Sequence, residues 1–374
     1  MHNVVLVDYV RSPFTPARKG ALAHTRPDDL AAAVIKELVI RTGVNKDDIE
    51  DLKLGCAFPE GEQGLNLARL VTFIADLPIT VAGVTVNRFC GSSMQTIHDA
   101  AGAIASGMGE VYIAAGIESM TRIPMTGFNP LPNPELYEKM PDAYENMGIT
   151  AENLARKYDI SRLQQEKFAV QSHQKASQAQ ANGLLSDEII PVASAIKDGC
   201  IRVDTTNDSL TELRPAFDSK GSVTAGTSSP LTDGAAAVLV TSEAYADQHK
   251  LPKLARIKSF AVSGCEPGIM GIGPVSATKK ALSYAKLTLN DIDIIELNEA
   301  FAAQSLAVIK ELNLDTSKIN IDGGALALGH PLGASGARIT GKTASLLKRE
   351  GKRYGLATMC IGGGQGIATI LESI

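Results

Sequence analysis

The sequence predicts an α/β protein built from two similar halves with a loop-rich segment inserted between them. Three observations carry this. Short apolar runs alternate with helical patterns at both ends of the chain, which is the signature of a sheet covered by helices. The stretch Thr42-Gly43-Val44-Asn45-Lys46-Asp47-Asp48-Ile49, leading to Cys56-Ala57-Phe58, recurs without a gap as Ala285-Lys286-Leu287-Thr288-Leu289-Asn290-Asp291-Ile292, leading to Glu299-Ala300-Phe301. Between the halves the alternation stops, and Pro124, Pro130, Pro132, Pro134 and Pro141 interrupt regular structure.

The elements follow in order. Val4 to Val7 form a first strand. Pro27-Asp28-Asp29 opens a helix with Leu30, Val34 and Leu38 on one face, and Gly43 stops it. A strand near Leu52 to Cys56 and a helix from Leu65 to Ile74 come next. Val81, Val84 and Val86 suit a buried strand, and Met94, Ile97, Ala101 and Ile104 follow at helical spacing. A strand at Val111 to Ala115 ends the first run. From Ser119 to Leu231 the chain is read as an insertion, with Met120, Met125, Met140 and Met147 as adaptable apolar bulk. Within it, Ser161-Arg162-Leu163-Gln164 reads as a capping box opening a polar helix that ends near Asn182-Gly183. Strand patterning resumes at Asp233 to Val240. Two similar halves facing each other create a pocket at their junction.

Composition bounds the function. A 374-residue chain with 34 glycines, no tryptophan and 44% hydrophobic residues reads as a soluble enzyme of two or three domains. A net charge of −5 argues against general nucleic-acid binding and leaves room for an anionic small ligand. The five cysteines are odd in number, widely spaced and lack a Cys-x-x-Cys pair. That favours a reducing compartment over a disulfide framework or a zinc site. No apolar run is long enough to span a bilayer, and no charged leader precedes the first strand, so membrane insertion is not expected and a cytoplasmic location is.

Chemistry concentrates at a few places. Cys90 lies between strand and helix, followed by Gly91-Ser92-Ser93. Glycine permits the sharp turn, and the serines are expected to cap the helix. A thiol at a helix N-terminus faces the positive end of the dipole, so its thiolate is expected to be favoured. Asn298 follows the strand Ile292–Leu297, and His330 stands in Gly329-His330-Pro331-Leu332-Gly333-Ala334-Ser335-Gly336 at the start of a helix. Cys360 opens a glycine run after the strand Gly355–Thr358. Glycines and Pro331 hold the His330 imidazole at a defined angle, whereas His2, His24, His98, His173 and His249 are expected on the surface. Cys56, Cys200 and Cys265 read as structural. A dinucleotide site fails, because position 367 is Ile367 and no helix or acidic residue can follow. Cys90, His330 and Asn298 are also the residue types of a cysteine peptidase, but a peptidase has no use for a second activated thiol.

A Cys–His–Cys set with an asparagine suits an acyl carrier with a proton shuttle beside it. Asn87-Arg88-Phe89-Cys90, Asn298-Glu299-Ala300-Phe301, Gly329-His330-Pro331-Leu332-Gly333 and Cys360-Ile361-Gly362 together resemble the thiolase family along essentially the whole chain. The resemblance implies a five-layered αβαβα core plus a loop domain. The halves then comprise 1–118 with 232–253 and 254–374, the loop domain 119–231. It implies thiolytic cleavage of 3-oxoacyl-CoA by CoA, giving acetyl-CoA and a shortened acyl-CoA. Cys90 is then the nucleophile, His330 its base and Cys360 the acid near the right pKa. Asn298 with a water and His330 forms one oxyanion hole, and the N–H groups of Cys90 and Gly362 form another. Arg202, Ala225 and Ser229 match CoA contacts, and Met147, Met270 and Phe301 match the acyl pocket or, equally, ordinary core packing. CoA is a substrate, so no cofactor and no metal are expected. A homodimer or tetramer is implied, with a β-oxidation multienzyme partner left open.

Cys90-Gly91-Ser92-Ser93, and Asn146 rather than histidine before Met147-Gly148, lean towards the degradative 3-ketoacyl-CoA type. An acetoacetyl-CoA thiolase is the alternative, followed by a Cys–His–Asn hydrolase or a non-catalytic CoA-binding protein.

Overall fold

The computed structural model describes residues 3–374; Met1 and His2, the latter expected on the surface, lie outside them. The chain opens with β1 (Val4–Arg11), the two-residue β2 (Thr15–Pro16) and α1 (Pro27–Thr42). There follow β3 (Asp51–Gly55), α2 (Leu67–Ile74), β4 (Ala82–Val86), α3 (Ser92–Ala105) and β5 (Val111–Ser119). Residues 120–231 carry α4 (Pro134–Lys139), α5 (Met147–Lys157), α6 (Arg162–Ala181) and α7 (Asn207–Thr211). Then come β6 (Thr232–Ser242), α8 (Glu243–Gln248), β7 (Ala255–Gly264), α9 (Gly273–Ala285) and β8 (Ile294–Leu297). The chain closes with α10 (Ala302–Leu312), α11 (Ala325–Leu328), α12 (Leu332–Glu350), β9 (Tyr354–Ile361) and β10 (Gln365–Glu372).

The strands run in the order β4-β3-β5-β6-β1-β7-β10-β9-β8. The path is pseudo-symmetric about the β1–β7 junction, where only Val5 with Arg256 and Leu6 with Ala255 pair. The repeat read in sequence is a repeat in space. The turn at Lys46–Asp48 matches that at Leu289–Asp291, and each leads into the strand that begins at Asp51 or Ile294. Even the left-handed residue ending the preceding helix is kept, as Gly43 (φ 64°) in one copy and Lys286 (φ 57°) in the other.

Helices fill three layers around these strands. α1 and α2 bury Leu30, Ile35, Leu38, Leu67 and Val71 against the outer face of the first strand set. α9 and α10 bury Ala277, Ala281, Val308 and Leu312 against the outer face of the second. Between the two strand sets lie α3 and α12, contributing Ile97, Ala101, Ile104, Ala337, Ala344 and Leu347 to a core shared with Tyr112, Val238 and Leu371. The result is the five-layered αβαβα arrangement.

Two local expectations change. The Val81–Val86 strand is not buried along its length. β4 is an edge strand with one neighbour, β3, and Val84 is 39% exposed, although Val81 just before it is fully covered. Its valines reflect β propensity at an edge rather than a place inside the sheet. The run Met359-Cys360-Ile361 belongs to β9 itself, since the strand continues three residues past Thr358.

The middle helices approach closely because α12 carries small residues where α3 meets it. A Cβ on Gly336 would stand 2.3 Å from the Met94 backbone nitrogen. Gly336→Ala is therefore expected to cost about 1–3 kcal/mol through overpacking. A fall in thermal midpoint would be read by calorimetry, and an unchanged midpoint would show that the helices part freely.

Candidate active site

Cys90 is held in the turn between β4 and α3. The turn takes a left-handed residue, Phe89 (φ 43°), which is not a glycine and so carries strain. Asn87 Nδ2 donates to the Ala57 carbonyl (3.0 Å), and the Phe89 N–H donates to Asn87 Oδ1 (2.8 Å). The serines do not cap the helix as expected. Gly91 is the N-cap, and the Ser92 hydroxyl closes the turn instead, accepting from the Arg88 N–H (2.9 Å) and donating to the Phe89 carbonyl (2.6 Å). Ser93 Oγ accepts the Ala337 N–H (2.8 Å) and so ties α3 to α12.

From the other half, the loop after β9 brings the Gly362 N–H onto the Cys90 sulfur, where it and the Cys90 N–H favour the thiolate. Burial outweighs both and pushes the Cys90 thiol up to about 11, with the Glu118 carboxylate adding to the rise. The expectation of a lowered thiol is thus reversed, because the helix end is sealed from water. Cys360, fully buried beside it, is raised well above the ordinary thiol value by burial and then by Cys90. It stays protonated at neutral pH rather than sitting near it.

His330 precedes α12 and is 4% exposed. Its N–H donates to Thr232 Oγ1 (3.0 Å), its Nδ1 lies 2.6 Å from Ser335 Oγ, and its Nε2 lies 3.3 Å from Asn298 Nδ2. The Ser335 hydroxyl donates to the Pro331 carbonyl (3.0 Å), which assigns the ring hydrogen to Nδ1 and leaves Nε2 as an acceptor. Burial, and then the Arg338 charge, bring the imidazole down to about 3, so it is neutral. The asparagine's Oδ1 is buried and has no partner among the described residues.

Around these groups, Met147, Met270 and Phe301 form one cluster with Ala300 and Cys360, and Leu332 shares another with Cys90. The Ser229 N–H donates to the Ala300 carbonyl (3.0 Å), so the segment holding Ala225 and Ser229 leans on this wall. Arg202 is exposed, with its backbone N–H on His173 Nδ1 (3.1 Å). The arrangement offers a buried thiol with backbone N–H groups facing it, a second protonated thiol beside it and a neutral imidazole. Among the described residues no His, Cys, Asp or Glu group could hold a metal ion.

Residues 4–244 match the family described as "Thiolase, N-terminal domain", and residues 251–373 match "Thiolase, C-terminal domain". The chain belongs to the thiolase family. It is 47% identical over 389 residues to the 3-ketoacyl-CoA thiolase of Bacillus subtilis (strain 168), covering 100% of both chains. It is 48% identical over 386 residues to the 3-ketoacyl-CoA thiolase of Vibrio cholerae serotype O1, again covering 100% of both. The crystal structure of the Bacillus anthracis acetyl-CoA acetyltransferase superposes with a TM-score of 0.92 at 40% identity, covering 100% of this chain and 99% of that one.

Several residues of this thiolase escaped the sequence reading. Glu118 is the one charged residue of β5, and that lone charge was the available signal. Ser335 and Thr232, which hold His330, had no pattern to mark them. His98 and His173 were expected on the surface and are buried, at 2% and 5% exposed. His98 bonds Thr369 Oγ1 (2.8 Å) and stacks on Phe260 at 4.4 Å, and burial and then Arg88 bring it to about 3. His173 is brought to about 4 by burial and then Arg202. His24 and His249 are exposed.

Two pH effects follow. Below pH 6.5 the unfolded chain takes up a proton that folded His98 refuses, so stability present above 6.5 is lost as pH falls toward 3. His98→Gln should flatten the unfolding free energy from urea denaturation against pH between 6 and 4, by about 1.4 kcal/mol per pH unit. An unaltered slope would place the acid sensitivity elsewhere. Separately, iodoacetamide labelling of Cys90 in the free protein should rise about tenfold per pH unit from 7 to about 10. A plateau near neutrality would mean a preformed thiolate.

Proposed function

We infer that the protein is a degradative 3-ketoacyl-CoA thiolase, an acyltransferase that cleaves 3-oxoacyl-CoA with CoA through an acyl-cysteine. The observation that carries this is the meeting of two buried thiols from opposite halves, Cys90 and Cys360, with the Gly362 N–H on the first. A Cys–His hydrolase needs only one of those thiols.

His330 Nε2 takes the Cys90 proton as the sulfur attacks the 3-keto carbon, so no free thiolate has to persist in a site that disfavours charge. The N–H groups of Cys90 and Gly362 meet the developing oxyanion. The carbon–carbon bond then breaks. The acyl group stays on the Cys90 sulfur, and the electron pair passes to the acetyl-CoA enolate, which takes its proton from Cys360. A water held by Asn298 Oδ1, with His330, stabilises that enolate. CoA, deprotonated by Cys360, attacks the acyl carbon, and the Cys90 sulfur leaves with the proton that His330 holds. A raised Cys360 thiol suits this sequence, because it begins each cycle protonated.

Arg202, Ala225 and Ser229 hold CoA, and Met147, Met270 and Phe301 line the acyl end. No cofactor or metal enters the reaction. Asn146 caps α5 (Gly148 N–H to Oδ1, 2.8 Å), and the relatives at 47–48% identity named 3-ketoacyl-CoA thiolase support the degradative reading over an acetoacetyl-CoA thiolase. We divide the chain into the halves 1–118 with 232–253 and 254–374 and the loop domain 119–231. A homodimer or tetramer fits the unpaired edge of β4 and exposed Leu65, Phe73 and Ile79 nearby, and a β-oxidation multienzyme complex is the second partner reading. No helix among the described residues is long and apolar enough to cross a membrane, and a cytoplasmic place without nucleic-acid partners suits the composition.

Purified protein should consume 3-oxoacyl-CoA only with free CoA present. Cys360→Ala should lower thiolysis by about 10²–10⁴-fold and abolish exchange of acetyl-CoA α-hydrogens with deuterium, while a preformed acyl-CoA still slowly acylates Cys90. Native exchange in that variant would remove Cys360 from the shuttle role, and turnover without CoA would point to a hydrolase.

A further inference from the structure

Glu118 is a buried carboxylate that the reaction above does not use. It is 1% exposed, and its hydrogen-bond partners among the described residues include no cation. Burial raises its pKa, against the four N–H donors that favour its ionised form. A carboxyl placed there costs stability unless its hydrogen bonds return something.

Those hydrogen bonds connect the two catalytic loops. Glu118 Oε2 accepts the Ala57 N–H (2.8 Å) and the Gly333 N–H (2.9 Å) on one oxygen. Gly333 lies in the first turn of α12, three residues after His330. The Ala57 carbonyl accepts Asn87 Nδ2, and Asn87 Oδ1 accepts the Phe89 N–H next to Cys90. Glu118 Oε1 is held from behind by Gln63 Nε2 (2.8 Å), and Gln63 Oε1 in turn accepts the Ser119 N–H (2.6 Å). One short line of hydrogen bonds therefore runs from the His330 loop through a single carboxylate oxygen to the Cys90 turn.

We propose that Glu118, acting through Ala57 and Asn87, is a positioning residue that sets the reach between His330 and Cys90. The inference rests on the thiolase reading of the two loops. The placement is economical in two ways. The N-terminus of α12 carries a partial positive charge that a carboxylate complements. Ala57 packs in the same apolar cluster as Cys90 and Leu332, so a shift at the carboxylate passes to both loops. Through its field alone Glu118 hinders Cys90, raising the thiol's pKa. A benefit to catalysis must therefore come through geometry.

The test uses Glu118→Gln and Asn87→Ala, singly and together, at a temperature where circular dichroism shows each folded. Both carboxylate oxygens face N–H donors, and glutamine keeps only one oxygen. In either orientation its –NH₂ opposes a donor, at Ala57 and Gly333 or at Gln63 and Phe58, and the line is disturbed. The Asn87 side chain is at the exposed end, so its removal spares the core and decides the matter alone if Glu118→Gln does not fold. A misplacement of about 1 Å costs on the order of 10²-fold in rate. Each variant should lose about 10- to 100-fold in kcat, with KM for 3-oxoacyl-CoA and CoA within about twofold of native. The double variant should be no worse than the weaker single, because both cut one line. A folded single variant with native kcat, a raised KM at native kcat, or losses that multiply in the double each overturns the inference. Native protein without thiolysis overturns the functional reading itself. Native turnover with unaffected variants overturns this inference alone.

Discussion

The close approach of two helices, α3 and α12, between the two strand sets is the constraint on which the rest of the molecule depends. Each helix begins beside one reactive side chain, Cys90 or His330. Their separation is set where Gly336 meets Met94 and where Ser93 bonds Ala337, in the first turn of α3 and the second of α12. Residues with bulk at those points would part the helices and carry the two loops apart. Fifteen of the nineteen α12 residues are buried, so the helix has no exposed face along which to relax.

That same enclosure governs the chemistry. Cys90, His330 and Cys360 are buried together, and the outcome is three neutral groups: two thiols raised and one imidazole lowered. The helix dipole and the Gly362 N–H work for the thiolate but do not prevail, since desolvation penalises every charge in such a site. None of the three then bears a charge at rest. Backbone donors in a low-dielectric pocket act strongly on charge that appears only during reaction.

Duplication explains the scaffold, and divergence from it explains the site. The turns at Lys46–Asp48 and Leu289–Asp291 remain equivalent, yet Cys56 in one copy is Glu299 in the other. Cys56 sits against Glu118 and Gln63, whereas Glu299 accepts from Ser172 Oγ, Asn320 Nδ2 and the Leu326 N–H and so anchors α6 of the insertion. β4 has no full counterpart in the second half, where its place is marked by a single bridge between Ile295 and Ile319. One half thus keeps an open sheet edge, and the other gives its corresponding surface to the inserted helices.

The sequence by itself determined the α/β class, the repeat, the boundaries of α1 and α6, and the residue types of the candidate site. These are recorded in local pattern: apolar period, the glycine after a helix, the Ser161 capping box, and glycines beside Cys90, His330 and Cys360. Only the tertiary structure decided the ionisation of those residues, the exposure of β4, the burial of His98 and His173, and the partners Ser335, Thr232 and Glu118. Each of those depends on what packs against a residue from far along the chain. Desolvation and hydrogen bonding act across space, so a cysteine at a helix start reads as activated in sequence and proves to be a sealed thiol once the second half closes over it.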